Sequence, residues 1–393
     1  MGRGQGHHQG DSLNAELTGI WTSRFSNSAL DHTGYKAPDK YWLPKTVIEY
    51  LCDHGYDIFT CIGCGTNHGL GTFAVNDGMR NRWLKDEPER LKQFNTPTDM
   101  SMREWLTHIQ NSGKFYAHIF LRETHRPWMQ VVKLYSLMGQ KSRAWGWFKK
   151  KLGLWTGWPN DAYYARRAAL EKPNEFAVLR RNALAKANKI VAEIFEATKN
   201  IEDLTYIVYS NHGEVFDHFR YNQSYTSSTV HGLKMIEGTS HGNYPYEVVY
   251  GNMQMWIIPN QAPKVMKGIG RSIDFAPTIL ELSQIKPYGM DGESMLSYFL
   301  EGAFPDRDRY AETPVSGGCL SMVRKDGYKF IAIGGHETKE DNLYAQRGFA
   351  NHRLAVFDLK SDPYEYVNLI ETQQGQAILE WAISRHKELK IET

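Results

Sequence analysis

An α/β fold, with a mostly parallel sheet flanked by helices and a small antiparallel C-terminal subdomain, is what this sequence predicts. Three observations carry that reading. Short apolar runs rich in β-branched and aromatic residues punctuate the chain: D-I-F-T-C-I-G at 57–63, K-F-Y-A-H-I-F-L at 114–121, Y-I-V-Y at 206–209 and M-Q-M-W-I-I-P at 253–259. Segments of helical periodicity lie between them, as βαβ units require. From about residue 310 the texture changes to C-L-S-M-V-R, Y-K-F-I-A-I and L-A-V-F-D-L, short strands joined by turn residues, which read as an antiparallel meander.

Taken in order, the opening M-G-R-G-Q-G-H-H-Q-G is Gly-rich and aperiodic, so residues 1–12 are expected to form a disordered tail. T-V-I-E-Y-L-C-D-H-G-Y at 46–56 places apolar residues at 47, 48 and 51 before Gly55, the pattern of a short helix stopped by glycine. Residues 102–110 read as helix, and the strand at 114–121 breaks off in a Thr-His-Arg-Pro loop. A long helix is expected at 175–199, from apolar positions three and four apart. Another, S-I-D-F-A-P-T-I-L-E-L at 272–282, follows the strand at 253–259, and a closing helix begins near 375. A boundary near Pro305 divides an α/β domain at 13–305 from a C-terminal antiparallel subdomain and helix at 306–393. No internal repeat is visible.

Bulk properties exclude several functions. With 46 basic and 44 acidic residues the net charge is +2, so no global field favours nucleic acid. Four cysteines in 393 residues are too few for a disulfide scaffold. Neither a basic-then-apolar leader nor a run of roughly eighteen apolar residues is present, which makes the cytoplasm the default location. One segment, 141–167, mixes Lys141, Arg143, Lys149, Lys150, Lys151, Arg166 and Arg167 with Trp145, Trp147, Trp155 and Trp158. Such a mixture can touch a membrane or an anionic glycan, but a solvated insertion with packed aromatics is the favoured reading.

Candidate chemistry lies at strand ends. In parallel α/β sheets ligands sit beyond the carboxyl ends of the strands, where loops open and helix N-termini point. After Y-I-V-Y the chain releases Asn211 and His212, an amide oxygen and an imidazole that can both ligate a divalent metal, with Gly213 allowing a close turn. Thr124, His125 and Arg126 stand at another strand end, where Arg and His suit an oxyanion. His241 sits among small residues in G-T-S-H-G-N, and His68 lies in the glycine-rich I-G-C-G-T-N-H-G-L-G. A capped turn, a polar surface loop and loop packing are the bland alternatives for these stretches. Cys61-x-x-Cys64 could be a redox pair, though it falls inside the last of them.

Taken together, these stretches resemble the sulfatase-like branch of the alkaline phosphatase superfamily. S-N-H-G-E resembles its Ser-Asp-His-Gly-Glu or Ser-Asp-Asn-Gly metal motif, T-H-R-P-W its His-x-Pro loop, and 46–71 its helix followed by a Gly-Lys-Trp-His-Leu-Gly loop. R-S-I-D-F-A-P-T-I-L-E-L, Y-G-M-D-G-E-S-M-L and F-D-L-K-S-D-P-Y-E-Y-V-N-L are similar to three more of its motifs, and the resemblance runs from about 13 to 370. It implies hydrolysis of a sulfate or phosphate ester, of a small molecule or a glycan, with a divalent cation: calcium first, manganese or zinc otherwise. It also implies Asn211 and His212 as metal ligands, His125, His241 and His68 as catalytic groups at the ester, and Arg126 and Thr124 as substrate contacts. A phosphodiesterase or phosphotransferase of the same superfamily, or a non-catalytic anion-binding relative, is the alternative. The chain departs from the pattern at three places. No acidic strand end or Cys-x-Pro-Ser-Arg frame precedes Leu17-Thr18-Gly19, where Ser12 is the nearest hydroxyl; Asn211 replaces an aspartate; and Thr66 replaces a lysine. A chain lacking the family's first strand and nucleophile segment is therefore expected.

Overall fold

A computed structural model describes residues 2–3, 15–21, 45–62, 94–95, 106–107, 109–121, 124, 173–213, 229–230, 233–234, 246–313, 319–333 and 353–391. Gly2–Arg3 (β1), within the segment read as a tail, pairs parallel to Gly270–Arg271 and antiparallel to Gly251–Asn252. Helix α1, Val47–Asp53, begins at a capping box: Thr46 Oγ1 accepts the Glu49 amide at 3.3 Å while Glu49 accepts the Thr46 amide at 2.8 Å. Gly55, at φ +79°, turns the chain out of it. Strand β2, Asp57–Ile62, then runs parallel to β3, Phe94–Asn95, and to β4, Phe115–Phe120, so the parallel expectation holds for this sheet.

Helix α2, Pro173–Thr198, is tied to the strand after it by its last residue, whose hydroxyl lies 2.7 Å from that of Tyr206. Strand β5, Tyr206–Tyr209, falls where the sequence put it, and the hairpin strands Thr229–Val230 (β6) and Leu233–Lys234 (β7) come next. Helix α3, Glu247–Tyr250, leads through β8, Gly251–Asn252, into β9, Gln254–Ile257. Here the pairing differs from a βαβ unit, because β9 runs antiparallel to β5, with Tyr206 opposite Ile257 and Tyr209 opposite Gln254. The cause is where the chain re-enters. Helix α3 docks at the far end of β5, so the next strand starts there and must run back.

Next, β10, Gly270–Arg271, passes through a 3-10 turn at Ser272–Asp274 into α4, Phe275–Leu282. Ala276 and Leu280 of α4 pack with Leu17, Val47, Ile48, Leu51 and Ile58. On another side Phe275 makes edge-on contacts with Tyr209 and Trp256, at 5.0 and 5.2 Å between ring centres, and joins Phe299 of α5, Leu296–Glu301. The β5–β9 pair is thereby seated on α4 and α5.

Strands β11 (Arg309–Thr313), β12 (Cys319–Val323), β13 (Tyr328–Ile333) and β14 (Arg353–Asp358) form the expected antiparallel sheet in sequential order. Both its faces are covered. Leu320, Met322, Phe330 and Val356 face α6, Gln373–Ile391, through Ile378, Leu379 and Ala382, whereas Ile331, Ala355 and Phe357 meet Tyr246 and Val248. Among the described residues no helix is long and apolar enough to cross a membrane.

Candidate functional site

At the end of β5 a serine closes the ladder. The Ser210 amide donates to the Met253 carbonyl at 3.1 Å, and the Met253 amide donates to Ser210 Oγ at 3.0 Å, so the hydroxyl takes the place of the next backbone acceptor. The strand stops, and Asn211, His212 and Gly213 turn away, all half-buried. The Gly213 amide donates to the Val249 carbonyl at 2.7 Å. A Cβ built at Gly213 would collide with the Val248 carbonyl oxygen and lie 2.7 Å from that of Gly251, so only glycine fits under α3.

Within the turn, Asn211 Oδ1 accepts the His212 amide at 3.0 Å, and His212 Nδ1 lies 2.7 Å from the Gly213 carbonyl. Since a carbonyl only accepts, that contact places a proton on Nδ1 and fixes the ring's orientation, as a backbone carbonyl commonly does for a ligating histidine. Asn211 keeps a second lone pair on Oδ1. The two suit a divalent cation as neutral ligands, yet they carry no charge to offset its dehydration. Among the described residues no group of three His, Cys, Asp or Glu side chains could hold a metal. Thr124 is described, exposed in a turn just beyond β4. His68, His125, Arg126 and His241 lie outside the described residues, as does Glu214.

One cluster near the turn is absent from the sequence reading. Glu16, in a helical turn at 15–18, is 2% exposed, with the Tyr209 hydroxyl beside its carboxyl. Burial pushes its pKa well above the ordinary 4.5, opposed only in part by Tyr209. Burial and the neighbouring Glu16 charge raise both Tyr116 and Tyr209 in turn. Beside them His118 is 9% exposed, its Nδ1 3.2 Å from the Tyr116 hydroxyl, and burial lowers its pKa to about 4, so it is neutral near pH 7. The acid in A-E-L-T-G-I-W was the available signal.

Several family-like motifs form scaffold rather than site. Asp274, fully buried, accepts Arg271 at 2.8 and 3.0 Å, Arg307 at 3.0 Å and the Glu293 amide at 3.0 Å. The amides of Asp291 and Gly292 both donate to the Gly19 carbonyl at 2.8 Å, and the Trp21 amide donates to Asp291 at 2.9 Å. R-S-I-D and D-G-E therefore pin the Leu-Thr-Gly turn.

A mixed core with polar turns at its strand ends, beside an antiparallel sheet under a closing helix, makes this an α/β architecture with an appended antiparallel layer. Among solved structures, the chain superposes with a TM-score of 0.60 at 13% identity on a protein in complex with its substrate D-glucosamine-2-N,6-O-disulfate, covering 100% of this chain and 90% of that one. A 2-O GAG sulfatase matches with a TM-score of 0.57 at 13% identity over 98% of this chain and 82% of that one. The phosphonate monoester hydrolase of Agrobacterium radiobacter gives 0.59 at 13% identity over 99% and 87%. In sequence, 143 residues are 31% identical to the multifunctional alkaline phosphatase superfamily protein PehA of Trinickia caryophylli, 31% of this chain and 26% of that protein. The match thus spans about a quarter of that curated relative. No family model matches the sequence. The chain has the fold of these sulfatase and phosphonate monoester hydrolase structures, as its motifs suggested, and part of its sequence is similar to PehA, a protein of the alkaline phosphatase superfamily.

Proposed function

We propose that this protein is a sulfatase-like hydrolase that cleaves a sulfate ester of a small molecule or glycan at the carboxyl end of β5, in the cytoplasm. The observation that carries the reading is the 210–213 turn: a strand closed by its own serine, a glycine locked under α3, and a histidine oriented by its Nδ1 contact with the Gly213 carbonyl. Asn211 and His212 are the assigned metal ligands. A cation held there, calcium by preference and otherwise manganese or zinc, would neutralise ester oxygens as charge builds on them. His125, His241 and His68 are assigned to the ester and its leaving oxygen, with Arg126 and Thr124 binding non-bridging oxygens. The fold of the disulfated-glucosamine complex supports the sulfate assignment. The phosphonate monoester hydrolase likeness supports the second reading, a phosphorus ester at the same turn.

Hydrolysis of 4-nitrophenyl sulfate, phosphate and phosphonate esters with calcium, manganese or zinc tests both readings. Expected are metal-dependent sulfate turnover and a metal-induced rise in melting temperature, with His212→Ala lowering kcat/KM by about a hundredfold and abolishing the rise. Preference for a phosphorus ester would select the second reading. Turnover or stabilisation indifferent to His212→Ala would overturn both.

A further inference from the structure

Lys329, in the middle of the antiparallel sheet, is completely buried, a rare state for lysine without a partner. Its Nζ lies 2.6 Å from Glu365 Oε1 and 3.0 Å from Glu247 Oε1, with the Tyr250 ring centre 5.7 Å away. Glu365 is 2% exposed and stands at φ +60°, the left-handed region that disfavours every side chain with a Cβ. Its other oxygen accepts the Glu247 amide, the first of α3, at 2.7 Å. One strained, buried carboxylate thus joins β13, the loop after β14 and the start of α3. The carbonyls of α3 in turn trap Gly213: Val249 accepts its amide at 2.7 Å and Val248 leaves no room for a Cβ. The turn cannot shift unless α3 shifts, and α3 is fixed by this triad.

We propose that Glu365, seated on Lys329, is a positioning residue that sets the 210–213 turn through α3, so that the C-terminal sheet holds the orientation of Asn211 and His212. The functional weight of the inference rests on the site proposed above; its geometry does not. The test is amide exchange at Gly213, compared with amides of the β12–β13 ladder. Glu365→Gly suits the left-handed backbone and deletes the whole side chain, the carboxylate with it. Gly213 should then exchange about tenfold faster or more while the ladder amides stay within about threefold. Glu365→Gln, which keeps an acceptor for the Glu247 amide, should recover much of the protection. Gly213 protection that is unchanged, or that falls only in step with the ladder, would make Glu365 a mere stabiliser and overturn the proposal. Should Glu365→Gly not fold, Lys329→Arg, which keeps the charge but displaces it from the two carboxylates, carries the same comparison with the same two outcomes. Because exchange needs no turnover, silence in the ester assays would sink the hydrolase reading and leave this coupling standing.

Discussion

Single residues carry two sharp consequences. Gly213→Ala would push a methyl group into the Val248 carbonyl of a helix that cannot retreat, so a loss of about 1–3 kcal/mol is expected from the urea midpoint. Glu16 and His118 give opposite pH slopes. An acid whose folded pKa is raised binds more protons in the folded than in the unfolded state, so Glu16 favours the fold below pH 4.5 and progressively costs stability as pH rises from there toward its folded pKa. A base whose folded pKa is lowered does the reverse: the His118 contribution is intact above 6.5 and is lost as pH falls toward about 4, by up to about 1.4 kcal/mol per pH unit. Urea midpoints across pH should show Glu16→Gln flattening the decline above pH 4.5 and leaving the acid-side loss. An unchanged slope in Glu16→Gln would mean the carboxyl is already charged in the fold. The sequence displays both residues but not their perturbation, because an isolated Glu or His becomes perturbed only when distant elements bury it.

At the scale of elements, composition was a good guide to existence and a poor one to direction. Tyr206–Tyr209 was readable from four apolar residues stopped by Ser210, and α1 from apolar residues at 47, 48 and 51 before Gly55, since these signals are local. The antiparallel run of β9 was not, because apolar runs encode no strand polarity; only the docking of α3 at the end of β5 sets it. Lys329 is illegible for a similar reason. In Y-K-F-I-A-I it alternates like a solvent-facing residue, yet its face is shared with Ile331 and covered by the Tyr246 segment. Asp274 shows what the family-like helix motif holds together. Its removal leaves two arginines, Arg271 and Arg307, with side chains only 9% and 15% exposed, sharing the half-exposed Glu293 carboxylate in place of a fully buried one. Asp274→Ala is therefore expected to cost about 3–5 kcal/mol, seen as a lower urea midpoint at unchanged slope. A loss below about 1 kcal/mol would show that the arginines find water instead.

Across the whole molecule, the division at residue 305 marks a change of texture more than a break in the core. The cluster between the antiparallel sheet and α6 contains Trp21 and Ile273, which enter from the α/β part and lie against residues 310–389. Trp21 meets Tyr310 edge-on at 5.7 Å and carries Arg271 over its ring at 5.6 Å, so the Leu-Thr-Gly segment, the Asp274 knot and the C-terminal sheet share one aromatic side chain. The Glu365 triad adds a second, ionic connection on the opposite face of the same sheet. Two connections of this kind make independent melting of the parts unfavourable, because opening either half exposes a tryptophan or leaves buried charges unpaired. Tryptophan fluorescence and far-ultraviolet circular dichroism should therefore report one urea transition. Trp21→Ala should lower its midpoint by about 3–5 kcal/mol of stability without splitting it. Two separate transitions in the unaltered protein would show instead that the C-terminal sheet folds as its own unit, and would remove the mechanical route by which it could hold the 210–213 turn.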